Sequence, residues 1–192
     1  MPTNPERRAQ ILDAALDILA DTGVGGVTHR QVDDRAGLPA GTTSNYFRTR
    51  LALLEATAAR TVDLHWQHVD ALQTVIGQPL TRDGLVALLA RMISDPDEQF
   101  RRRTLARFEL FMEGTRRQEL QPFLKNLQAA AMKSASVILE AAGFTPSPER
   151  VGELSRLLNG LAFSNLTISP DAPGAADPHG TIDRLLRAIL ET

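Results

Sequence analysis

Apolar residues recur at three- and four-residue spacing along most of this chain, which is the pattern of amphipathic helices. The first such segment begins at Asn4-Pro5-Glu6, a favourable helix start, and reaches about Thr22. Its apolar stripe consists of Ile11, Leu12, Ala15, Ile18 and Leu19. No segment alternates apolar and polar positions as a strand does, and no internal repeat is present. The sequence therefore predicts an all-α fold.

Glycine and proline divide the later part of the chain into further helices. These are predicted over about residues 49–76, 81–94, 97–116, 118–142, 147–168 and 181–190. The stretch 169–180, which is rich in Pro, Ala and Gly, is predicted to be a loop. We expect two domains, one of residues 1–50 and a second, helical domain of residues 51–192.

Two short helices around a glycine are predicted directly after the first segment. Thr28 followed by Gln31 forms a capping box, which starts one helix. Gly37 stops that helix because glycine accepts the left-handed conformation of a C-cap, and Pro39 suits the start of the next. The second helix, about residues 40–48, begins with small polar residues that fit a major groove and reach base edges and phosphates. This layout predicts a helix-turn-helix DNA-binding motif.

A cation follows this motif at the start of the fourth helix. Thr49 caps that helix, and Arg50 lies in its first turn, where the helix dipole favours acids. A DNA phosphate bound at the helix end would explain a cation there. We therefore predict that Arg50 contacts phosphate.

The segment from Ile11 to Leu54 resembles the DNA-binding domain of the tetracycline-repressor (TetR) family of transcriptional regulators. The matching residues are Ile11, Ala14, Ala15, Leu19, Gly23, Thr28, Val32, Ala36, Gly37, Leu38, Gly41, Thr42, Tyr46, Phe47, Arg50 and Leu54. The remainder of the chain is similar to the family only in its helix layout. The resemblance implies an N-terminal three-helix domain with the helix-turn-helix, followed by a C-terminal helical domain that binds a ligand and dimerises.

Four positions depart from the family pattern. Asp33 stands where the family has a small residue, Thr43 where it has an apolar one, and Ser44 where it has an aromatic that often touches the DNA backbone. Arg50 replaces the usual lysine and adds bidentate phosphate geometry. These departures bear on individual DNA contacts and not on the fold.

We predict a DNA-binding surface made by the two short helices and the start of the fourth. Its residues are Thr28, His29, Arg30, Ala40, Gly41, Thr42, Ser44, Asn45, Tyr46 and Arg50. The formal net charge is -2, and in the first sixty residues seven arginines balance seven acids. This predicts a few placed cations, with modest and salt-sensitive non-specific affinity.

Two later helices carry apolar stripes, and the first of these stripes is small and flat, which allows close helix approach. The stripe of the helix 118–142 is Leu127, Ala131, Ser134, Ile138 and Ala141, and that of 147–168 is Val151, Leu154, Leu158, Leu161, Asn165 and Ile168, widened by Leu157. Such stripes form either ordinary core or a four-helix interface of a homodimer. The family resemblance favours the dimer, and so does the fact that two motifs about one DNA turn apart recognise a palindrome.

Aromatic residues are concentrated in the middle helices, with a few polar groups among them. This mixture suits the wall of a small-molecule pocket, although several of these residues could equally be core. The resemblance implies an effector site between these helices and the fourth helix. The candidate residues are Trp66, Phe100, Arg107, Phe108, Phe111 and Met112.

Several classes of function are not supported by the sequence. No catalytic-triad spacing, Gly-rich phosphate loop or paired-carboxylate motif is present, so we expect neither an enzyme nor a cofactor. His65 and His68 could share a helix face, but further ligands for a metal are not evident. The chain has no cysteine, no apolar run that could span a bilayer and no signal peptide, so a cytoplasmic protein is expected.

Taken together, these features predict a dimeric transcriptional repressor that binds a palindromic double-stranded DNA operator and is released by a small-molecule effector. In this hypothesis the effector shifts the fourth helix and so changes the separation of the two motifs. Two alternatives stay open. One is a regulator that is constitutive or controlled by a protein partner. The other is a helical interaction protein without DNA readout, for which the acidic Asp33 and Asp34 and the absence of a net charge in the N-terminal domain are the best support. The effector, the operator and the choice between repression and activation are not encoded in these patterns.

Overall fold

The computed structural model describes residues 4–76, 80–95, 97–168 and 177–190, and within them it is built from helices without a strand. The all-α prediction is therefore confirmed. The helices are α1 (Pro5–Gly26), α2 (His29–Ala36), α3 (Thr42–Tyr46), α4 (Arg50–Ile76), α5 (Arg82–Ser94), α6 (Glu98–Gly114), α7 (Gln121–Ala141), α8 (Pro148–Thr167) and α9 (Pro178–Leu190). None of these described helices is long and apolar enough to cross a membrane.

Helix α1 begins as predicted, and a glycine interrupts it near its end. The Asn4 side chain accepts hydrogen bonds from the backbone N–H groups of Glu6 and Arg7, at 3.0 and 3.1 Å. Gly23 has φ 68° and ψ -173°, which are not helical values, so the regular helix is broken just after Thr22. The predicted end at about Thr22 marks this break, and the last residues form a separate turn.

The helix α2 also follows the prediction, whereas α3 is shorter than expected. Thr28 caps α2, and Gly37 ends it in the left-handed conformation with φ 63°. The predicted second helix of residues 40–48 is corrected to Thr42–Tyr46. It starts late because Gly41 has φ 89°, and it ends early because Phe47 is extended.

Three further boundaries differ from the sequence prediction. Residues Gln118–Leu120 form a separate 3-10 turn, so α7 starts at Gln121 and not at 118. The last helix starts at Pro178, earlier than the predicted residue 181, because the Asp177 side chain caps it by accepting from Gly180 N at 2.8 Å. Residues 77–79 and 169–176, which include most of the predicted loop, lie outside the described residues.

The described chain forms two compact units. The first contains α1, α2, α3, α4 as far as Leu64, α6 and α7 as far as Leu127. The second contains the remainder of α4, α5, the remainder of α7, α8 and α9. The helix α4 is thus shared between the units. The predicted functional division at residue 50 stays a prediction.

Each unit has its own buried apolar core. In the first unit the core includes Ile11, Leu12, Ala15, Leu19, Val27, Val32, Leu38, Phe47, Leu53, Leu54, Ala58 and Leu110. In the second it includes Leu85, Leu89, Ala90, Ile138, Leu139, Val151, Leu154, Ile182 and Leu186. Burying one such leucine or isoleucine contributes about 1.5–3 kcal/mol. In the first unit, α2 packs on this core. Leu38, which precedes α3, and Phe47, which follows it, are also part of the core and so hold α3 against it.

The left-handed conformation of Gly37 predicts a specific cost for a side chain there. We expect Gly37→Ala to lower the free energy of unfolding by about 1 kcal/mol, and Gly37→Asn by less, because Asn tolerates this conformation better than Ala. A Cβ at Gly37 would meet no atom within 4 Å, so the cost comes from the backbone alone. Urea unfolding followed by circular dichroism measures it.

Gly25→Ala is the matched control. A Cβ at Gly25 also meets open space, but Gly25 lacks a positive φ. Alanine there is expected to be neutral or to raise the free energy of unfolding by up to about 1 kcal/mol. Equal losses in both variants would show that the left-handed conformation is not the cause.

Candidate functional site

A buried carboxylate organises the turn into α3. Asp33 is only 1% exposed. Its Oδ1 accepts hydrogen bonds from Thr43 N at 2.7 Å and from Thr43 Oγ1 at 2.6 Å, and its Oδ2 accepts from Gly41 N at 2.8 Å. Gly41 occupies the N-cap position of α3 and has no side chain with which to cap it. Asp33 therefore supplies the cap from the neighbouring helix, and its negative charge suits a helix N-terminus.

Two of the departures from the family pattern are thus partners of each other. Asp33 and Thr43 are both buried and share two hydrogen bonds. The interpretation of Asp33 as an acid that supports a protein without DNA readout is wrong, because the carboxylate faces inward. The available signal was that two unusual polar residues occur on adjacent short helices.

Several predicted DNA-binding residues remain open to solvent. Thr28, Ala40, Gly41 and Asn45 are exposed, and the side chain of Arg30 is 91% exposed, with only a long contact of 3.9 Å to Asp34. This set combines a cation with a hydroxyl, an amide and small residues that allow close approach. Such groups can bind phosphates and base edges.

Other predicted DNA-binding residues are engaged within the motif itself. Thr42 Oγ1 donates to Pro39 O at 2.6 Å, and Ser44 Oγ donates to Gly41 O at 2.8 Å. Each hydroxyl oxygen keeps lone pairs that can accept further hydrogen bonds.

The remaining two predicted residues of the motif contact its inner parts. His29 Nε2 lies 2.7 Å from Phe47 O, and Tyr46 is half-buried against the core. These contacts fix the positions of the side chains that stay exposed.

Arg50 has a structural role that the sequence analysis missed. Its Nε donates to Val27 O at 2.8 Å, and its Nη2 donates to Val24 O. Val24 lies in the last turn of α1, where its carbonyl oxygen also accepts from Val27 N at 3.1 Å, and Val27 is the residue after that helix. Arg50 therefore ties the start of α4 to the end of α1. The contact between Arg50 and a DNA phosphate stays a prediction. It would use the guanidinium N–H groups that do not donate to Val24 O or Val27 O.

An ionic cluster joins α1 to α2 and α6. Arg102 Nη1 lies 2.6 Å from Asp21 Oδ1, and Arg35 Nη2 lies 2.7 Å from Asp21 Oδ2. Arg102 also donates to Asp17 O at 3.2 Å. Hydrogen bonds from Arg102 and then from Arg35 lower the pKa of Asp21 to about 2. On the same helix, Asp13 binds Arg60 of α4 at 2.8 Å.

A groove of about 610 Å³ lies beside this cluster, between the end of α1 and α6. Its walls are residues 19–25 of α1 together with Leu105, Glu109, Met112, Glu113 and Arg116. Met112, a predicted effector residue, lines this groove and is 50% exposed.

Three other predicted effector residues are brought together on α6. The rings of Phe108 and Phe111 meet edge to face, with centroids 5.7 Å apart. The guanidinium carbon of Arg107 lies 5.3 Å from the centre of the Phe108 ring. Phe100 is half-buried on the same helix. Trp66 belongs to the second unit, where its ring meets His65 at 5.7 Å and Lys133 Nζ at 5.5 Å.

Arg107 differs from the paired arginines around α1. Its Nε is buried and has no hydrogen-bond acceptor in the described part of the chain. Burial lowers the pKa of Arg107 to about 10, so it still carries a positive charge at neutral pH.

Five residues of the predicted dimer stripes belong to the core of this chain. Leu127, Ser134, Ile138, Val151 and Leu154 are buried without a partner subunit, so their assignment to an interface is corrected. Leu157 of α8 and Ile168, the residue that directly follows this helix, are by contrast 41% and 51% exposed.

No group of three or more His, Asp or Glu side chains that could hold a metal occurs among the described residues. His65 Nε2 instead lies 3.1 Å from Ser134 Oγ.

Comparison with known proteins finds similarity along most of the chain. The family model of bacterial regulatory proteins of the tetR family matches residues 11–57, and that of the tetracyclin repressor-like C-terminal domain matches residues 80–192. The HTH-type transcriptional regulator BetI of Cronobacter sakazakii is 45% identical over 53 residues, which are 28% of this chain and 26% of that protein. The matched part thus spans about a quarter of the length of this relative.

Solved structures share the whole fold at low identity. A transcriptional regulator from Rhodococcus sp. Rha1 has a TM-score of 0.77 at 20% identity, with 98% of this chain and 97% of that chain covered. A transcriptional regulator from Saccharomonospora viridis in complex with choline has a TM-score of 0.77 at 18% identity, with coverage of 97% and 98%. At these identities the likeness concerns the fold.

The buried Asp33 gives a direct test of how the motif is held. We expect Asp33→Ala to lower the free energy of unfolding by about 2–4 kcal/mol, because a helix cap is lost and the Thr43 hydroxyl is left buried without its acceptor. Hydrogen exchange of the amides of Gly41 and Thr43 should accelerate as well. Chemical unfolding and exchange measured by NMR check both effects.

Asp34→Ala is the matched control, since Asp34 is the next residue and its side chain is 72% exposed. It should change the free energy of unfolding by no more than about 0.5 kcal/mol. If both variants behaved alike, the capping role of Asp33 would be wrong.

Proposed function

Because the chain belongs to the tetR family of bacterial regulatory proteins, we propose that it is a DNA-binding transcriptional regulator, a dimeric repressor that a small-molecule effector releases from a palindromic operator. The observation that carries this proposal is the motif α2–turn–α3. Asp33 fixes α3 from inside, which leaves Arg30, Gly41 and Asn45 exposed outside. The tetR family model that matches residues 11–57 covers this motif, and the similarity to an HTH-type regulator over 53 residues also supports the proposal.

The alternative of a helical interaction protein without DNA readout loses one of its supports. That alternative drew on the acidic residues of the motif, and Asp33 is internal, where its charge caps α3. Asp34 stays exposed and lies near Arg30.

A homodimer through α7 and α8 would bring two motifs to one operator. Leu157 lies on α8 and is 41% exposed, and Ile168, the residue that directly follows this helix, is 51% exposed. Gly160 and Leu161 share a helix face with Leu157, since they are three and four residues away from it. Exposed large apolar residues suit a subunit contact. The interface that we propose therefore uses these exposed positions and not the buried residues of the stripes.

Two connections could transmit effector binding to the motif. One is α4, which contributes to both units and begins at the motif itself, where Arg50 ties it to α1. The other, which sequence reasoning missed, is the ionic cluster of Arg102, Asp21 and Arg35, which joins α6 to α2 by way of α1. An effector that shifts α6 would act on the motif through this cluster, provided that it binds the two states with different free energies.

The ionic cluster is intact over the physiological pH range. A carboxylate whose pKa is lowered in the folded state contributes stability above its ordinary pKa and loses it as pH falls. For Asp21 that loss runs from about 3.8 down to about 2. Asp21 therefore does not take up a proton near neutral pH, and a pH change in that range does not break the ionic cluster.

Sequence-selective DNA binding is the direct test of the proposed function. The purified protein should bind DNA from immediately upstream of its own gene more tightly than scrambled DNA, in fluorescence anisotropy at two salt concentrations. Arg30→Ala should weaken binding to all sequences and reduce the slope of log Kd against log salt by about one, because one phosphate contact is lost.

Arg91→Ala removes the same charge from α5, in the second unit, and is the control. It should leave both affinity and slope unchanged. Weak, equal binding to both DNAs, even after selection from random sequences, would contradict the proposed function.

The ionic cluster of Arg102, Asp21 and Arg35 should influence DNA binding from a distance. Arg102→Met should change operator affinity by about 3- to 30-fold without a DNA contact being removed, because the link between α6 and Asp21 is broken. Arg103→Met, which alters an exposed neighbour on the same helix, should not. An unchanged affinity in both variants would exclude this connection.

A further inference from the structure

Helix α6 carries a cation for which the described chain provides no counter-charge. The Nε of Arg107 is buried and lacks an acceptor, and burial alone accounts for the lowered pKa of its guanidinium. The ring of Phe108 lies 5.3 Å from the guanidinium carbon. The described ion pairs, such as those of Arg60, Arg82 and Arg102, give their arginines a carboxylate at 2.6–2.9 Å.

This arrangement is unfavourable for the free protein. A guanidinium loses most of its hydration on burial, and a cation–π contact offsets only part of that loss. A protein that holds an unpaired charge in such a position commonly uses it at a functional site. The Nε–H donor of Arg107 has no acceptor in the described chain, and a guanidinium binds a planar oxyanion through two parallel hydrogen bonds.

We propose that Arg107 is the anchor of an anionic effector, an organic oxyanion whose apolar body lies against Phe108 and Phe111. The inference rests on the proposed function as a ligand-responsive regulator. The two phenylalanine rings, 5.7 Å apart and perpendicular to within about 20°, form an apolar surface beside the guanidinium. An effector with a charged head and an apolar body matches both features.

A cationic effector is excluded at this position by charge. Arg107 is positive at neutral pH, and among its causes of pKa shift no neighbouring acid contributes. The regulator from Saccharomonospora viridis, which was crystallised in complex with choline, is 18% identical to this chain and shares its fold. The inference is that this chain differs from that protein in the charge of its ligand.

The position of Arg107 also connects the ligand to the motif. Arg102 and Arg107 are five residues apart on α6, which places them on different faces of the helix. One face is bound to Asp21 of α1, and the other carries the anchor. An anion that draws Arg107 toward itself would therefore act on the helix that holds the ionic cluster.

Thermal unfolding of the full-length protein tests the proposal with matched probes. Benzoate and hexanoate are compared with benzamide and hexanamide, which have the same bodies without the charge, and phenyl phosphate distinguishes a phosphate from a carboxylate head. At a concentration one hundred times Kd, an acid should raise Tm by about 5–10 °C, and its amide should not. A larger rise in Tm with phenyl phosphate than with the acids would identify a phosphate as the head group of the effector. A larger rise with the acids would identify a carboxylate.

Three variants assign the effect to Arg107. Arg107→Met should abolish the difference between acid and amide and should raise Tm without ligand, because an unpaired charge is removed from a buried position. Arg107→Lys keeps the charge without the bidentate geometry, so it should weaken acid binding by about tenfold. Arg101→Met, at an exposed position about 120° away from Arg107 around the same helix, should behave as the wild type.

The inference is overturned if neither the acids nor phenyl phosphate raise Tm more than the amides, or if the difference persists in Arg107→Met. If Arg107→Met fails to fold, Arg107→Lys decides by the same criterion. DNA binding is measured on the same preparations. Sequence-selective binding without acid discrimination would overturn the anionic effector alone, and acid discrimination without DNA binding would overturn the regulator function alone.

Discussion

The carboxylate of Asp33 is the constraint from which the geometry of the helix-turn-helix follows. Helix α3 has only five residues and a polar sequence, so neither helix propensity nor an apolar face can hold it in place. Three hydrogen bonds to one buried carboxylate do so instead, and they join α3 to α2 at a fixed angle. Because the carboxylate is satisfied internally, its charge stabilises the helix N-terminus and does not repel DNA. An acid in a DNA-binding motif is thereby compatible with the proposed function.

Helix α1 connects the parts of the first unit. Its acidic residues bind an arginine from each of three helices, namely Arg35 of α2, Arg60 of α4 and Arg102 of α6. Partly exposed ion pairs contribute little to stability, but they select one relative arrangement of the helices they join. The apolar face of α1 supplies most of the stabilisation, and its polar face sets the geometry. A helix used in this way can respond to a shift of α4 or α6 without being unfolded.

The parts of this structure that could be predicted are those that depend on local sequence. The Thr28 cap, the Gly37 stop and the apolar stripe of α1 are local, and the structure has all three. The roles of Asp33 and Arg50 could not be read in the same way, because their partners lie eight to twenty-six residues away in the chain. The buried stripes of α7 and α8 show a related limit. Helical periodicity identifies an apolar face, but core and subunit interface demand the same residues.

The arginines of this chain separate by what surrounds them. Those in the ionic cluster and Arg50 have acceptors in the chain itself, which fixes their side chains before any ligand arrives. The side chain of Arg30 is 91% exposed and has only a long contact of 3.9 Å to Asp34, so its charge can move toward a phosphate at little cost. Arg107 is neither paired nor hydrated at its Nε, so its electrostatic energy falls when an anion arrives. In the regulator that we propose, the guanidinium group thus serves three purposes. The paired arginines stabilise the fold, the exposed Arg30 binds DNA phosphate, and the buried Arg107 binds the anionic effector. The unpaired charge of Arg107 destabilises the ligand-free protein, and an anion that binds it removes this cost. That gain is a source of the difference in effector affinity between two states that a regulator needs in order to switch.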